Sequence, residues 1–166
     1  METIKTRRSI RKYTNKEITE EMVTELLKAG MAAPSAGNAQ SWEFIIINDP
    51  EIIKLIPTIH PYSNMVTEAS KVILVCGNLE DEIHEGFWPQ DCSAATENIL
   101  LAAAEKNLGA VWLGVYPEDD RVEGFKKLFD LPEHIIPFSL IPVGYPAEKK
   151  EANDRFTEDK IHRNQW

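Results

Sequence analysis

The stretch "RRSIRKY", Arg7 to Tyr13, stands out in a chain of 166 residues whose formal net charge is −9. Between Lys5 and Lys16 lie six of the eighteen basic residues, Lys5, Arg7, Arg8, Arg11, Lys12 and Lys16, with no carboxylate among them. Concentrated positive charge on an acidic protein is suited to holding an anion. In an extended backbone alternate side chains share a side, so Arg7, Ser9 and Arg11 would aim two guanidiniums and a hydroxyl one way while Arg8 faces the other. Guanidinium suits phosphate because its planar fork makes paired hydrogen bonds to two oxygens. A pI near 5.0 argues against nucleic acid, which calls for a basic face, so the expected anion is small. Read alone, the block is also compatible with a solvated charge run.

A second stretch, "APSAGNAQSW" from Ala33 to Trp42, places Ser35, Asn38 and Gln40 close together among small residues. It reads either as a loop that stops a helix or as a set of neutral donors and acceptors fitted to a planar heteroaromatic ligand. A third, "GAVWLGVYP", has an apolar run bracketed by Gly109 and Gly114. A plain strand explains it, and Gly114 also permits a ligand to approach the backbone closely. Dinucleotide glycine fingerprints, P-loops, nucleophile elbows and HExxH are absent. His60, His84, His134 and His162 lack ligand spacing, so no metal is expected. Cys76 and Cys92 read as buried free thiols.

The elements that must position these stretches follow from periodicity. Met22, Val23, Leu26, Leu27 and Gly30 recur with helical period behind Glu20 and Glu21, predicting a helix from Thr19 that stops at "APSAGNAQS". "WEFIIIND" and "KVILVCGN" read as strands buried on both faces, with "EIIKLI" a short helix between them. Gln90 to Asn107 reads as a helix apolar nearly all round, buried against the core and a second subunit. "GAVWLGV" is expected as a strand, "DDRVEGFKKLF" as an amphipathic helix, and "IIPFSLIPVGY" as a strand interrupted by Pro137 and Pro142. No linker or repeat divides the chain, so residues 1–166 read as one domain, with about 147–166 a charged, extended C-terminal arm. No apolar run approaches the roughly 20 residues needed to cross a bilayer, and no signal peptide is visible, so a soluble cytoplasmic protein with no membrane partner is expected.

Taken in order, "RRSIRKY", "APSAGNAQSWEFIII", "QDCSAATENILLAAAEKNLGAVWLGVYP" and "IPVGYP" resemble the FMN-dependent nitroreductase family over nearly the whole chain, which here is a short member. The resemblance implies an α+β fold, a central and largely antiparallel sheet flanked by helices, in an intertwined homodimer with FMN at the subunit interface. By position, it implies that Arg7, Arg8, Ser9 and Arg11 hold the flavin phosphate, ribityl chain and pyrimidine edge. Pro34, Ser35, Ala36, Asn38 and Gln40 match the loop laid on the flavin by the other subunit. Leu113 and Gly114 match the backbone beside the ring, Arg155 the late base that returns to the phosphate, and Asn64 the middle-chain polar contact. The implied activity is transfer of hydride from NADH or NADPH, through FMN, to a small nitroaromatic, quinone or similar electron-poor acceptor in a ping-pong cycle. The flavin carries the chemistry and no side chain acts as acid or base. The alternative is a non-catalytic flavin-binding module for storage or sensing.

Overall fold

Strand β2 (Lys71–Asn78) fixes the architecture, because its apolar run sends alternate residues into two different cores. Ile73 and Val75 pack on one side of the sheet, and Val72, Leu74 and Cys76 on the other. Such a strand needs cover on both faces, which helices supply. In a computed structural model describing all 166 residues, β2 lies between β1 (Trp42–Ile47) and β5 (Ile135–Gly144), antiparallel to both. The strand order is β1-β2-β5-β3, with β3 (Gly109–Ala110) and β4 (Leu113–Gly114) both antiparallel to β5. The result is α+β, as expected.

On the Ile73 face lie α2 (Glu20–Met31) and α4 (Trp88–Glu105). Helix α2 starts where the Thr19 hydroxyl accepts the Met22 amide at 3.2 Å, with Glu20 and Glu21 in its first turn. Gly30 lets the two helices approach, since a Cβ there would sit 3.0 Å from Ile99. Asn98 donates to the Ala29 carbonyl across the same seam at 3.0 Å. The other face carries α3 (Pro50–Ile59) and α5 (Asp119–Phe129), whose Ile53, Ile56 and Phe125 meet Val72, Leu74 and Leu140. Asp49 caps α3 by accepting the Glu51 amide at 2.8 Å. A short helix, α1 (Glu2–Thr6), precedes the arginine block and is tied by Thr3 to Glu105 at the end of α4.

Several expectations are revised. The run 42–47 is a strand but not buried on both faces: Glu43 is exposed and Phe44 to Ile46 are half-buried, because β1 is an edge of the sheet. "GAVWLGV" is two strands of two residues, separated by Val111 and Trp112. The prolines do not interrupt β5. Tyr13 donates to the Pro142 carbonyl at 3.1 Å, so this edge of Pro142 faces away from β2 and its missing N–H leaves that ladder intact. Near Pro137 the register shifts by a bulge opposite Val75 and Cys76, and the Phe138 carbonyl turns to the amides of Val115 and Tyr116 at 3.0 and 3.1 Å. Both cysteines are buried free thiols, and burial pushes Cys76 up to about 12. Residues 151–166 are all exposed, with one short turn at Glu158–Lys160.

Candidate functional site

The arginine block is extended, and its register is set by β3: Ser9 bridges Ala110, and the Ile10 amide donates to the Ala110 carbonyl at 3.0 Å. Burial of Ile10 against Gly109, where a Cβ would lie 2.6 Å from it, clamps the segment to the sheet. Arg8 is held rigidly. Its Nε donates to the Glu151 carbonyl at 2.7 Å and its Nη1 to the carbonyls of Arg7 and Lys5 at 2.6 and 3.0 Å. The same contacts bring the start of the C-terminal arm alongside, and a cavity of about 540 Å³ opens between α1 and residues 152–156, lined by the cations Lys5, Arg7, Arg8 and Arg155 and by two carboxylates, Glu2 and Asp154, among others. Two buried guanidinium nitrogens at this cleft, Arg7 Nε and Arg8 Nη2, have no hydrogen-bond partner. The Glu97 carboxylate approaches Arg7 Nε only to 3.4 Å, outside hydrogen-bonding geometry. Buried donors left without a hydrogen bond are costly, and both nitrogens belong to side chains that line the cleft.

Arg11 is placed differently from its neighbours: its side chain is exposed and lines neither this cleft nor the one beside it. Its amide donates to Glu148 at 2.6 Å. That bond, with Lys150 at 3.3 Å, holds the Glu148 carboxyl below its usual range. Lys150 in turn donates to the Ser9 carbonyl at 2.7 Å, so the arm begins as a strap over the arginine block.

The polar loop, Pro34 to Gln40, is shaped by left-handed residues: Gly37, Asn38 and Gln40 have φ of 61°, 58° and 54°. Glutamine rarely adopts this conformation, which costs free energy and persists where the surroundings enforce it. Here the Ser35 hydroxyl accepts the Gln40 amide at 2.9 Å, and buried Asp91 accepts the Ala36 amide at 2.9 Å and the Ser41 hydroxyl at 3.2 Å. Asp91 is a residue the sequence reading passed over. Its only signal is an acid in the first turn of a helix. Pro34, Asn38 and Gln40 are exposed, and Ser35 and Ala36 half-buried. This loop does not meet the arginine cleft within the chain: it is tied to Asp91, whereas Arg7 faces Glu97, about 9 Å further along α4.

Leu113 is buried, and Gly114 is partly open. A Cβ on Gly114 would meet nothing within 4 Å, so no contact within the chain calls for glycine, and the space beside it is free for a ligand. Its carbonyl accepts from His60 Nε2 at 3.0 Å and Arg121 Nη1 at 2.9 Å, two donors the sequence reading did not single out. Asn64 is exposed, in the turn Asn64–Glu68, four residues past His60. No group of three or more His, Cys, Asp or Glu side chains is placed to hold a metal, and no helix is long and apolar enough to cross a membrane.

The chain is thus α+β with helices on both sheet faces, and it presents an arginine-lined cleft, a polar loop with left-handed residues and an open glycine as its candidate site. The chain belongs to the nitroreductase family, whose profile matches residues 4–63 and 60–145. A Methanothermobacter thermautotrophicus protein, provisionally named an NADH dehydrogenase/NAD(P)H nitroreductase, is 52% identical over 166 residues, 100% of this chain and 87% of its own. The crystal structure of a Parabacteroides distasonis protein with the same provisional name superimposes with a TM-score of 0.95 at 42% identity, covering 99% of this chain and 97% of its own. A Desulfovibrio desulfuricans protein, provisionally designated a nitroreductase and solved in complex with FMN, has a TM-score of 0.86 at 30% identity, covering 99% and 96%.

Proposed function

We propose that this protein is an FMN-dependent NAD(P)H oxidoreductase that reduces nitroaromatic, quinone or similar electron-poor acceptors and works as a homodimer. The observation that carries the reading is the cleft in which Arg7, Arg8 and Arg155 converge, with two buried guanidinium nitrogens that lack a hydrogen-bond partner. The names of the relatives and the FMN in the Desulfovibrio desulfuricans structure support it.

In this reading Arg7, Arg8 and Arg155 take the flavin phosphate, with Ser9 and Arg11 further along the extended block. A net gain of about 1.5 to 3 kcal/mol for each charge-assisted hydrogen bond makes such a cluster decisive for affinity. The backbone at Leu113 and Gly114 receives the ring, because Gly114 presents no side chain there. Pro34, Ser35, Ala36, Asn38 and Gln40 reach the flavin of the other subunit, consistent with their distance from the arginine cleft of their own chain, and Asn64 supplies a further polar contact. When bound, FMN supplies the redox chemistry, taking hydride from NADH or NADPH and passing it to an acceptor that occupies the same face in turn.

The dimer accounts for three exposed features. Ile4 and Met31 are 59% and 53% exposed, beside a shallow apolar cavity of about 400 Å³ between α1, α2 and α4 lined by Ala29, Ala32, Leu101 and Ala102. The arm from about 147 to 166 carries Phe156, Ile161 and Trp166 with no core of their own to enter.

The test is the visible spectrum of the purified protein, reconstituted with FMN where needed, followed by anaerobic addition of NADH or NADPH. Yellow protein that bleaches supports the oxidoreductase. Protein that holds FMN without bleaching is the non-catalytic module, and protein that does not bind FMN refutes both.

A further inference from the structure

Gly114 is exposed to a ligand through the space where a Cβ would stand, but its carbonyl is engaged from behind by groups that the FMN reading leaves without a role. His60 Nδ1 accepts the Tyr62 amide at 3.2 Å, so the ring proton lies on Nε2, which donates to the Gly114 carbonyl at 3.0 Å. The imidazole is held at both ring nitrogens, and its backbone is held as well. The His60 residue is 2% exposed, its own amide donates to the Ile56 carbonyl at 3.0 Å, and its carbonyl accepts the Ser63 hydroxyl at 2.7 Å. Arg121, in the first turn of α5, brings the second donor to 2.9 Å, while its guanidinium carbon lies 5.8 Å from the Tyr62 ring centroid. One carbonyl therefore joins the end of α3, the turn after it and the start of α5.

Pairing with β5 holds β4 over a short span, two ladder residues followed by the Val115 and Tyr116 amides on the Phe138 carbonyl, and β3 ends three residues before it. We propose that His60 and Arg121 are positioning residues for the cofactor face: by holding the Gly114 carbonyl they set the Leu113–Gly114 backbone at the height and tilt that a flavin ring requires. Neither touches the ligand. A mobile strip would have to be ordered on binding, and two donors on one carbonyl remove that cost beforehand. The proposal rests on the FMN reading, and the first part of its test does not need FMN.

In the apo protein labelled at glycine carbonyl carbon, Arg121→Met and His60→Ala are expected to move the Gly114 carbonyl resonance upfield, and His60→Gln, whose side-chain N–H can donate in place of Nε2, to restore it. With FMN added, Arg121→Met and His60→Ala should bind roughly 3- to 10-fold more weakly, and His60→Gln close to wild type. The visible band of the bound flavin should shift in Arg121→Met. A merely structural brace would lower the melting temperature and leave the flavin spectrum alone. If Arg121→Met folds, binds FMN as wild type does and shows an unshifted flavin band, the proposal is overturned while the FMN reading stands. If wild type itself binds no FMN, both fall. Should His60→Ala not fold, Arg121→Met, at a partly exposed position, decides the matter alone.

Discussion

At Arg155 the structure offers a clean residue-scale experiment, because its side chain is exposed and braces nothing, whereas Arg8 supports three carbonyls. Arg155→Ala is expected to weaken FMN binding about tenfold or more, since a charge-assisted contact contributes roughly 1.5 to 3 kcal/mol, and to leave the sedimentation coefficient of the dimer unchanged. Gly114→Ala tests the opposite kind of residue. No atom within 4 Å opposes the added methyl, so the apo protein should keep its stability within about 0.5 kcal/mol in urea while its FMN affinity falls. His60 supplies the pH dependence. Burial chiefly, and Arg121 in addition, hold its imidazole below the ordinary 6.5 against the opposing bond to Gly114. The folded protein therefore takes this proton less readily than the unfolded chain, so the stability involved is complete above pH 6.5 and is lost as pH falls below it. The difference in unfolding free energy between wild type and His60→Gln should be flat above pH 6.5 and narrow below it.

Among the elements, the loop from Pro34 to Gln40 depends on a helix distant in sequence. Asp91, buried at the start of α4, accepts from Ala36 and Ser41 and so holds both ends of the segment that carries the left-handed residues. Asp91→Ala leaves two donors unpaired and should cost about 1 to 3 kcal/mol in urea denaturation, with loss of the loop's order as the visible consequence. Asp91→Asn keeps one acceptor oxygen and should cost less. Sequence reading found the loop and its polar residues, because serine, asparagine and proline announce a turn locally. It missed Asp91, because a carboxylate fifty-five residues from Ala36 carries no local mark of that bond. It also took "GAVWLGV" for one strand: apolar content is alike at Ala110, Val111 and Leu113, and only the pairing with β5 separates β3 from β4.

For the whole molecule, the expectation is a dimer in which the apolar seam at α2 and α4 is covered and the arm lies over the partner. Truncation after Ala152 removes Arg155 together with Phe156, Ile161 and Trp166. Both the FMN dissociation constant and the dimer dissociation constant should rise, read by flavin fluorescence and sedimentation. A truncated chain that remains dimeric and binds FMN as tightly as the full chain would remove the arm and Arg155 from the site. Binding to the folded dimer alone also requires that FMN raise the melting temperature, and more so at higher protein concentration.

Composition and order along the chain were enough to expect a small anion at "RRSIRKY", to read Trp42–Ile47 and Lys71–Asn78 as strands, and to place α2, α4 and α5 within about two residues of where they are observed, with α3 running three residues beyond "EIIKLI". These are local properties: charge density, period and capping residues act over a few positions, as at Thr19 with Met22 and Asp49 with Glu51. The motif resemblance added the fold class and the family. Tertiary structure alone decided that β1 is an edge, that β5 runs unbroken through Pro137 and Pro142, and that Arg7 and Arg8 keep donors without a hydrogen-bond partner in a cleft completed by Arg155. It alone brought His60 and Arg121 to one carbonyl. The physical reason is common to all of these: an unpaired hydrogen-bonding group and an uncovered strand edge are defined by what the rest of the chain leaves undone around them, and that is fixed only when residues far apart in sequence have packed.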